Sequence, residues 1–202
     1  MLFRSVHRVF LGGEQLTPEF TALNPNNKIP VLVDDGLVVT ESGAILLYLA
    51  EKTGQFLPEN TAPARARLFS WLMFVASGIG PYSGQAVHFK NFGPGDQSYA
   101  IKRYSYEAER HWGIIDAQLG KHPFMLGDTY TIVDMAVWGW ATRASFVLGP
   151  EAYEKLTNLQ RFVEVINARP AAARAIALKD KFVFKTEMDE EARRIMFPQI
   201  RA

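Results

Sequence analysis

The pattern of hydrophobic and polar positions separates a first part with strand and turn signals from a longer part with helical periodicity. In VHRVF (Val6–Phe10), apolar and polar residues alternate, which predicts a strand. Val31–Asp34 and Leu37–Thr40 are apolar runs separated by Asp35-Gly36, and this dipeptide favours a two-residue hairpin. Both runs are nearly continuous in apolar residues, so we expect burial on both faces of the sheet.

Helix signals lie on both sides of this hairpin. Thr17 is a predicted N-cap, with Pro18 at the first helical position. Asn24–Asn27 carries turn-forming residues and predicts a loop. After the hairpin, Ser42 begins an apolar helix that Gly54 closes as a C-terminal cap.

The chain from about residue 64 onward has helical periodicity. The pattern predicts a helix from about Ala64 toward Ser77, broken or bent by the glycines and the proline of 78–81. A long helix is predicted over about 98–119, with an apolar stripe that includes Trp112 and Ile115. Thr131, followed three residues later by Asp134, predicts a capping box.

These signals predict an α/β domain followed by an all-α domain. We expect the borders at 1–57 for the α/β domain, 58–63 for a linker, and 64–202 for the helical domain with its tail. The length of 202 residues suits one large domain or two small ones.

Composition and charge exclude several classes of protein. The net charge is +1 without blocks of like charge, so nothing favours a nucleic-acid partner. The longest apolar run, Ala44–Ala50, is far shorter than the roughly 20 residues of a membrane-spanning helix, and the N-terminus lacks the apolar core of a secretory signal. Cysteine is absent, which excludes disulfides and a thiolate nucleophile. We expect a cytoplasmic protein without membrane contact.

The four histidines do not predict a metal site. His7, His88, His111 and His122 are scattered, without a pair at ligand spacing on one helix face. We interpret them as ordinary surface or capping histidines and expect no bound metal.

Lys28-Ile29-Pro30 leads directly into the first hairpin strand and is a candidate peptide-binding segment. If the Ile29–Pro30 bond is cis, the backbone N–H and C=O of Ile29 can pair with an extended peptide. A trans proline that merely caps the strand is the alternative, and the low frequency of cis X–Pro bonds, about 5–6%, favours it.

Glu41-Ser42, at the start of the next helix, is a candidate site for an amino-acid head group. The free N–H groups of a helix N-terminus suit a carboxylate, Ser42 adds a donor, and Glu41 can accept from an ammonium. Plain N-capping is the alternative. Gln15, Asn27 and Lys28 lie in flanking loops, where Lys28 could meet a carboxylate, although each alone is more often simply solvated.

Together these segments resemble the glutathione S-transferase family over nearly the whole chain. NPNNKIPVLVDDGLVVTESGAILLYLAEKTG is similar to its N-terminal, thioredoxin-like domain. GQAVHFKNF, YAIKRYSYEAER and FMLGDTYTIVDMAVWGW are similar to its helical C-terminal domain. The resemblance is closest to the bacterial nu class and its fungal relatives.

The resemblance implies a glutathione site. Ile29, before the family's cis-proline, would pair with the cysteinyl part, while Glu41 and Ser42 would hold the γ-glutamyl head. Arg103 would reach the ligand from the helical domain, and the alternative for it is an ion pair with Glu107 at i,i+4 spacing. The expected glutathione-binding set is Gln15, Asn27, Lys28, Ile29, Pro30, Glu41, Ser42 and Arg103.

The resemblance also implies homodimers that conjugate glutathione to small electrophiles, or use it to reduce small disulfides and peroxides. The family's first domain begins with a strand, a loop and a helix before the strand that VHRVF resembles. The resemblance therefore implies that this sequence lacks the first strand, the helix and the activating loop, and we assign no catalytic residue. The alternative function is a non-catalytic, glutathione-transferase-like binding or regulatory protein.

A pocket for the second substrate would be lined by aromatic residues of the helical domain. Such rings at helical spacing are more often core residues. The candidates are Trp71, Phe74, Tyr82, Tyr99, Tyr104 and Trp138.

Overall fold

A computed structural model describes residues 12–182 and 185–198, apart from the side chain of residue 179. The predicted strand Val6–Phe10 lies outside the described residues. The strands are β1 (Val31–Asp34) and β2 (Leu37–Thr40). The helices are α1 (Pro18–Leu23), α2 (Ser42–Thr53), α3 (Ala62–Phe74), α4 (Gly80–Asn91), α5 (Ser98–Leu119), α6 (Ile132–Ala141), α7 (Ala144–Leu148), α8 (Pro150–Glu154), α9 (Thr157–Asn167), α10 (Pro170–Ala177) and α11 (Glu190–Met196).

The described residues form two compact units. One unit combines the residues up to Ile45 with those from Pro170 onward, and it contains the hairpin. The other unit is Leu46–Arg169 and is helical. The domain borders expected from the sequence, at 57 and 63, stay predictions.

The hairpin forms as its turn residues predict. β1 and β2 are antiparallel, with Val31 opposite Thr40 and Asp34 opposite Leu37. Asp35 and Gly36 have φ angles of 49° and 83°. Positive φ at both central residues is what a type I′ turn requires, so the Asp-Gly signal identified the turn correctly.

The expectation that both faces of this hairpin are buried is wrong. Val33 and Leu37 are 52% and 51% exposed, and Val38 is 38% exposed. An apolar run shows only that a strand contains few polar residues. Whether its faces are buried depends on which other elements pack against it. The local pattern contains no information on that packing.

The two helices that flank the hairpin begin and end where their capping residues predict. The Thr17 hydroxyl accepts from the Phe20 N–H at 3.3 Å, Pro18 occupies the first helical position, and Phe20 is buried. Helix α2 ends at Thr53, and Gly54 follows with a φ of 66°, which is the left-handed conformation of a C-terminal cap.

A π-helical turn joins α3 to α4 where the sequence predicted a break or a bend. The turn comprises Val75–Ile79, and helical backbone continues on both sides of it. Helix α3 also begins earlier than predicted, because Thr61 caps it by accepting from the Ala64 N–H at 3.3 Å. The last residues of the predicted linker are therefore helical.

The core of the helical unit is built around α5. Trp112 and Ile115 of the predicted stripe are fully buried, and the Trp112 indole N–H donates to the Ser83 hydroxyl at 3.1 Å. Residues of α6 and α9 also belong to this core, namely Ile132, Val133, Val137, Leu159, Phe162 and Ile166.

The predicted capping box at the start of α6 is present and fully buried. Asp134 Oδ2 accepts from the N–H of Thr131 at 2.7 Å and from its hydroxyl at 3.1 Å. Asp134 Oδ1 accepts from the Met125 N–H at 2.8 Å. Burial raises the pKa of Asp134, and these hydrogen bonds partly oppose that rise. The carboxyl group thus ties α6 to the preceding loop.

Candidate functional site

The hairpin register brings two separate candidate segments to the same end of the sheet. The last ladder pair is Val31 with Thr40, so the chain enters β1 from Ile29–Pro30 at the end where β2 leaves toward Glu41–Ser42. In an antiparallel pair, residues that directly oppose each other have Cα atoms about 4.5–5.5 Å apart. The structure therefore places the four residues in one small region of the first unit.

The Ile29–Pro30 peptide bond is cis, which decides between the two alternatives left open by the sequence. Ile29 precedes the first ladder pair by two residues, and its side chain is half exposed. Its backbone is thus outside the β1–β2 ladder, at the surface of the unit.

Glu41 and Ser42 form the exposed start of α2. Glu41 has a φ of 69°, and its carbonyl accepts the first helical hydrogen bond from the Ile45 N–H at 2.9 Å. A left-handed conformation at a non-glycine residue costs on the order of 1–3 kcal/mol and concentrates at binding sites. Because a helix N-terminus stabilises negative charge, this end of α2 suits a carboxylate, and Glu41 suits a neighbouring ammonium.

The loop before Ile29 is held together by Asn24, a residue that the sequence pattern did not distinguish from its neighbours. Asn24 is 5% exposed, and its side-chain amide donates to the Lys28 carbonyl at 2.7 Å. Asn27 has a φ of 54°, and its side-chain oxygen accepts from the Thr21 hydroxyl at 2.8 Å. The only sequence signal for Asn24 was its place in a run of turn-forming residues.

Gln15 lies in the same unit and is more deeply buried than a loop contact would suggest. It belongs to the short 3₁₀ turn Glu14–Leu16 and is 3% exposed. Its Oε1 has no hydrogen-bond partner among the described residues. The turn follows Gly13, and the side chain of Ile195 lies 3.4 Å from the position that a Cβ of Gly13 would occupy.

Arg103 belongs to the helical unit. It forms the ion pair with Glu107 that was the alternative to a contact with glutathione. Its guanidinium binds the Glu107 carboxylate, and Arg110 Nε lies 2.9 Å from the other oxygen of that carboxylate. Hydrogen bonds from Arg110, and then from Arg103, lower the pKa of Glu107. The expected contact of Arg103 with glutathione stays a prediction.

The interpretation of His111 as a surface or capping histidine is wrong. His111 is 5% exposed, and its Nδ1–H donates to the Glu107 carbonyl at 2.7 Å. Its ring contacts those of Phe74 and Tyr82, with centroid distances of 5.1 and 4.6 Å. A single histidine on a helix does not reveal which face it occupies once the neighbouring helices pack.

The candidate aromatic residues are arranged differently from a buried core. Tyr99 is 82% exposed, whereas the other five are intermediate in burial. Trp71 contacts Phe74 at 5.6 Å between centroids, and Tyr82 contacts Tyr104 at 6.3 Å. Four of the six candidate rings are therefore in contact as two pairs within the helical unit.

Within the described ranges, 12–182 and 185–198, no three His, Asp or Glu side chains are grouped so as to hold a metal ion. No helix there combines the length and the apolar composition needed to cross a membrane.

Two family models match this chain. Residues 4–51 match the N-terminal domain of glutathione S-transferases, and residues 98–174 match the C-terminal domain. The matches cover the hairpin end with Ile29 and Glu41 in the first model, and α5 to α9 in the second.

Individual relatives cover most of the chain. The disulfide-bond oxidoreductase YfcG of Escherichia coli is 42% identical over 180 residues, which is 84% of this chain and 81% of the relative. A glutathione transferase of Burkholderia graminis, solved with two glutathione molecules per subunit, is 39% identical with a TM-score of 0.75, covering 85% of this chain and 76% of that one.

A fungal structure is similar at lower identity. The glutathione transferase URE2P6 of Phanerochaete chrysosporium, solved with oxidized glutathione, is 32% identical with a TM-score of 0.80, and the match covers 90% of this chain and 86% of that one. These matches confirm the predicted class, a thioredoxin-like α/β domain followed by an all-α domain. The chain belongs to the glutathione S-transferase family.

Proposed function

We propose that this protein binds glutathione at the open end of the hairpin and uses it to reduce small disulfides and peroxides or to conjugate small electrophiles. One observation carries the proposal. The register of β1 and β2 brings the exposed Ile29–Pro30 segment and the Glu41–Ser42 start of α2 together.

The chemistry of these groups matches the parts of glutathione. The γ-glutamyl head is a zwitterion, so its carboxylate suits the start of α2 and the Ser42 hydroxyl, while its ammonium suits Glu41. The backbone of Ile29 offers a donor and an acceptor for the cysteinyl part. Lys28, Asn27 and Gln15 are proposed as further contacts from the adjacent loops.

The thiol of glutathione supplies the nucleophile in this proposal. The 202 residues contain no cysteine, so no thiol of this chain takes part. In disulfide reduction, the glutathione thiolate attacks one sulfur and releases the other as a thiolate. A second glutathione then resolves the mixed disulfide, so that two glutathione molecules are oxidised to glutathione disulfide. The name of the Escherichia coli relative and the glutathione disulfide in the fungal structure support this reaction class.

Calorimetric titration with glutathione tests the site. We expect Ser42→Ala and Glu41→Gln each to weaken binding by about tenfold, because each removes one charge-assisted hydrogen bond worth roughly 1.5–3 kcal/mol. Glu59→Gln is the matched control, since it removes an exposed carboxylate in the helical unit. Wild-type protein that is folded but binds no glutathione would contradict the proposal.

Activity assays separate an enzyme from a binding protein. The assay measures glutathione-dependent reduction of 2-hydroxyethyl disulfide as formation of glutathione disulfide. We expect this activity to be lower in Ser42→Ala and Glu41→Gln than in wild type. A protein that binds glutathione normally but turns over neither this disulfide nor an aryl halide is a binding or regulatory protein.

We also propose a homodimer in the cytoplasm. Phe69 and Met73 lie one turn apart on α3 and are exposed, which suits a contact with a second copy. The cytosol maintains the reduced glutathione that this reaction consumes. Sedimentation velocity should show twice the mass of one chain, and Met73→Asp should shift the equilibrium toward the monomer.

A further inference from the structure

We propose that Asn24 is a positioning residue for glutathione, which acts by fixing the Lys28–Ile29 peptide so that the Ile29 N–H faces the ligand. The proposal rests on the glutathione site proposed above and adds a residue that does not itself contact the ligand. It follows from the hydrogen bonds that converge on this buried side chain.

Asn24 fixes the orientation of the Lys28–Ile29 peptide plane. The side-chain amide of Asn24 donates to the Lys28 carbonyl at 2.7 Å. The carbonyl of Lys28 and the N–H of Ile29 belong to the same planar peptide unit, which is trans, so they point in opposite directions. Because the carbonyl points toward Asn24, the N–H of Ile29 must point away from it.

Asn24 is itself held rigidly by hydrogen bonds on both sides. Its backbone N–H donates to the Phe20 carbonyl at 2.9 Å, at the end of α1. Its carbonyl accepts from the Asn27 N–H at 2.9 Å, and its side-chain oxygen accepts from the Asn26 N–H at 3.1 Å. Asn24 is therefore fixed at one side by a helix and at the other by the loop that it closes.

Only a side chain with both a donor and an acceptor, such as asparagine, can make the hydrogen bonds seen at this position. The side chain must donate to the Lys28 carbonyl and accept from the Asn26 N–H at the same time. A planar amide supplies both functions, whereas an ionised aspartate has the same shape but only accepts. Asn24→Asp thus removes the donor selectively and places negative charge beside a carbonyl oxygen.

Titration of Asn24→Asp with S-methylglutathione tests the proposal, because this probe has no thiol that ionises. We expect a dissociation constant at least about tenfold above wild type near pH 7, which matches the loss of one part-buried hydrogen bond to the Lys28 carbonyl. In turnover with glutathione, KM should rise while kcat changes little, since the reacting sulfur is not touched.

Acidification tests whether the donor lost at position 24 is the cause of the weaker binding. A protonated carboxyl can donate again, and burial favours protonation at mildly acidic pH. The ratio of the variant and wild-type dissociation constants should therefore fall toward one as the pH decreases.

Two further variants test whether the loss of glutathione binding is specific to the Asn24 hydrogen bond. Asn91→Asp is the matched control, because Asn91 is exposed in α4 and its amide also donates to a backbone carbonyl, that of Val87, at 2.8 Å. It should leave binding unchanged. Thr21→Val removes the hydrogen bond to Asn27 from the same loop and leaves the Lys28 carbonyl paired, so it should weaken binding less than Asn24→Asp does.

Hydrogen exchange of the Ile29 N–H in the wild-type protein tests whether this N–H faces the ligand, even if Asn24→Asp does not fold. The Ile29 N–H should exchange rapidly in the free protein and become protected when glutathione binds. An Ile29 amide protected equally in both states would overturn the proposal, as would a folded Asn24→Asp that binds like wild type at pH 7. Absence of binding by wild type would instead refute the proposed function, and this inference with it.

Discussion

Gly78 lies so close to the ring of His111 that a methyl group at this position has no space. A Cβ on Gly78 would be 2.6 Å from Cδ2 and 2.8 Å from Nε2 of His111, which is itself held by Glu107. We therefore expect Gly78→Ala to destabilise the protein by about 1–3 kcal/mol, as overpacking of a rigid core does. Urea denaturation followed by circular dichroism measures this free energy.

Gly84→Ala is the control for this prediction. Gly84 lies in α4, and nothing is within 4 Å of the position of its Cβ. Alanine in a helix should stabilise the protein by roughly 0.5–1 kcal/mol relative to glycine. Equal effects of the two substitutions would show that the contact with His111 is unimportant.

The buried Asp134 carboxyl predicts a specific pH dependence. Because burial raises the pKa of Asp134, protonation of this group favours the folded state. Its contribution to stability is fully present below the ordinary pKa of aspartate and is lost as the pH rises through the raised value. Asp134→Asn removes this contribution and also leaves one of the N–H groups of Met125 and Thr131 without an acceptor.

Urea denaturation at two pH values tests this prediction. At neutral pH we expect Asp134→Asn to cost about 1–3 kcal/mol, the penalty of an unsatisfied buried group. The difference from wild type should be larger near pH 4 than near pH 7. If the stability difference between Asp134→Asn and wild type were the same at both pH values, the carboxyl would not titrate as its burial implies.

Single residues also show the limit of prediction from sequence. Thr17 and Asp134 were identifiable because a cap is defined by residues three apart in the chain. Asn24 and His111 were not, because their roles depend on partners in the folded loop or on neighbouring helices. The candidate residues Ile29 and Glu41 were found from local chemistry, whereas their proximity requires the hairpin register.

Among the elements, the hairpin turn gives a prediction that depends on backbone conformation alone. Gly36 has a φ of 83°, and nothing is within 4 Å of the position of its Cβ. Gly36→Ala should therefore cost about 1–2 kcal/mol for the left-handed conformation and nothing for a clash. Gly36→Asn should cost less, because asparagine tolerates this conformation better. Thermal denaturation of wild type, Gly36→Asn and Gly36→Ala should give melting temperatures that decrease in this order. Equal melting temperatures would contradict the prediction.

The elements were predicted with different success for a physical reason. Turn and cap signals place β1, β2, α1 and α2 correctly, since these depend on residues adjacent in sequence. The junction of α3 and α4 was expected to break or bend, and the structure has a π-helical turn there, Val75–Ile79, so the chain does not leave the helical conformation. Burial of the hairpin faces was mispredicted because it depends on packing between elements.

For the whole molecule, the unit that contains the hairpin includes residues from near both ends of the chain. Ile195 packs near Gly13, and Ala192, three residues earlier on α11, is fully buried. Ile195→Asp should therefore accelerate hydrogen exchange of the Leu16 N–H, which donates to the Gly13 carbonyl at 2.9 Å.

Mass spectrometry of peptide fragments can localise this change. Exchange in Leu46–Arg169 should remain as in wild type, because that unit has its own core. Arg194→Asp, at an exposed position next to Ile195, is the control and should change neither region. Unchanged exchange around Leu16 in Ile195→Asp would show that α11 does not stabilise the turn.

The same arrangement sets an order of events during synthesis. The segment up to Ile45 leaves the ribosome first, but its partner segment from Pro170 onward follows only after Leu46–Arg169 has been made. At about 5–20 residues per second, this interval lasts roughly 6–25 s. Throughout it, the turn beside Gly13 lacks its C-terminal partner, Ile195. The nascent chain is therefore a candidate client for chaperones at its N-terminal end, while the helical unit can already fold.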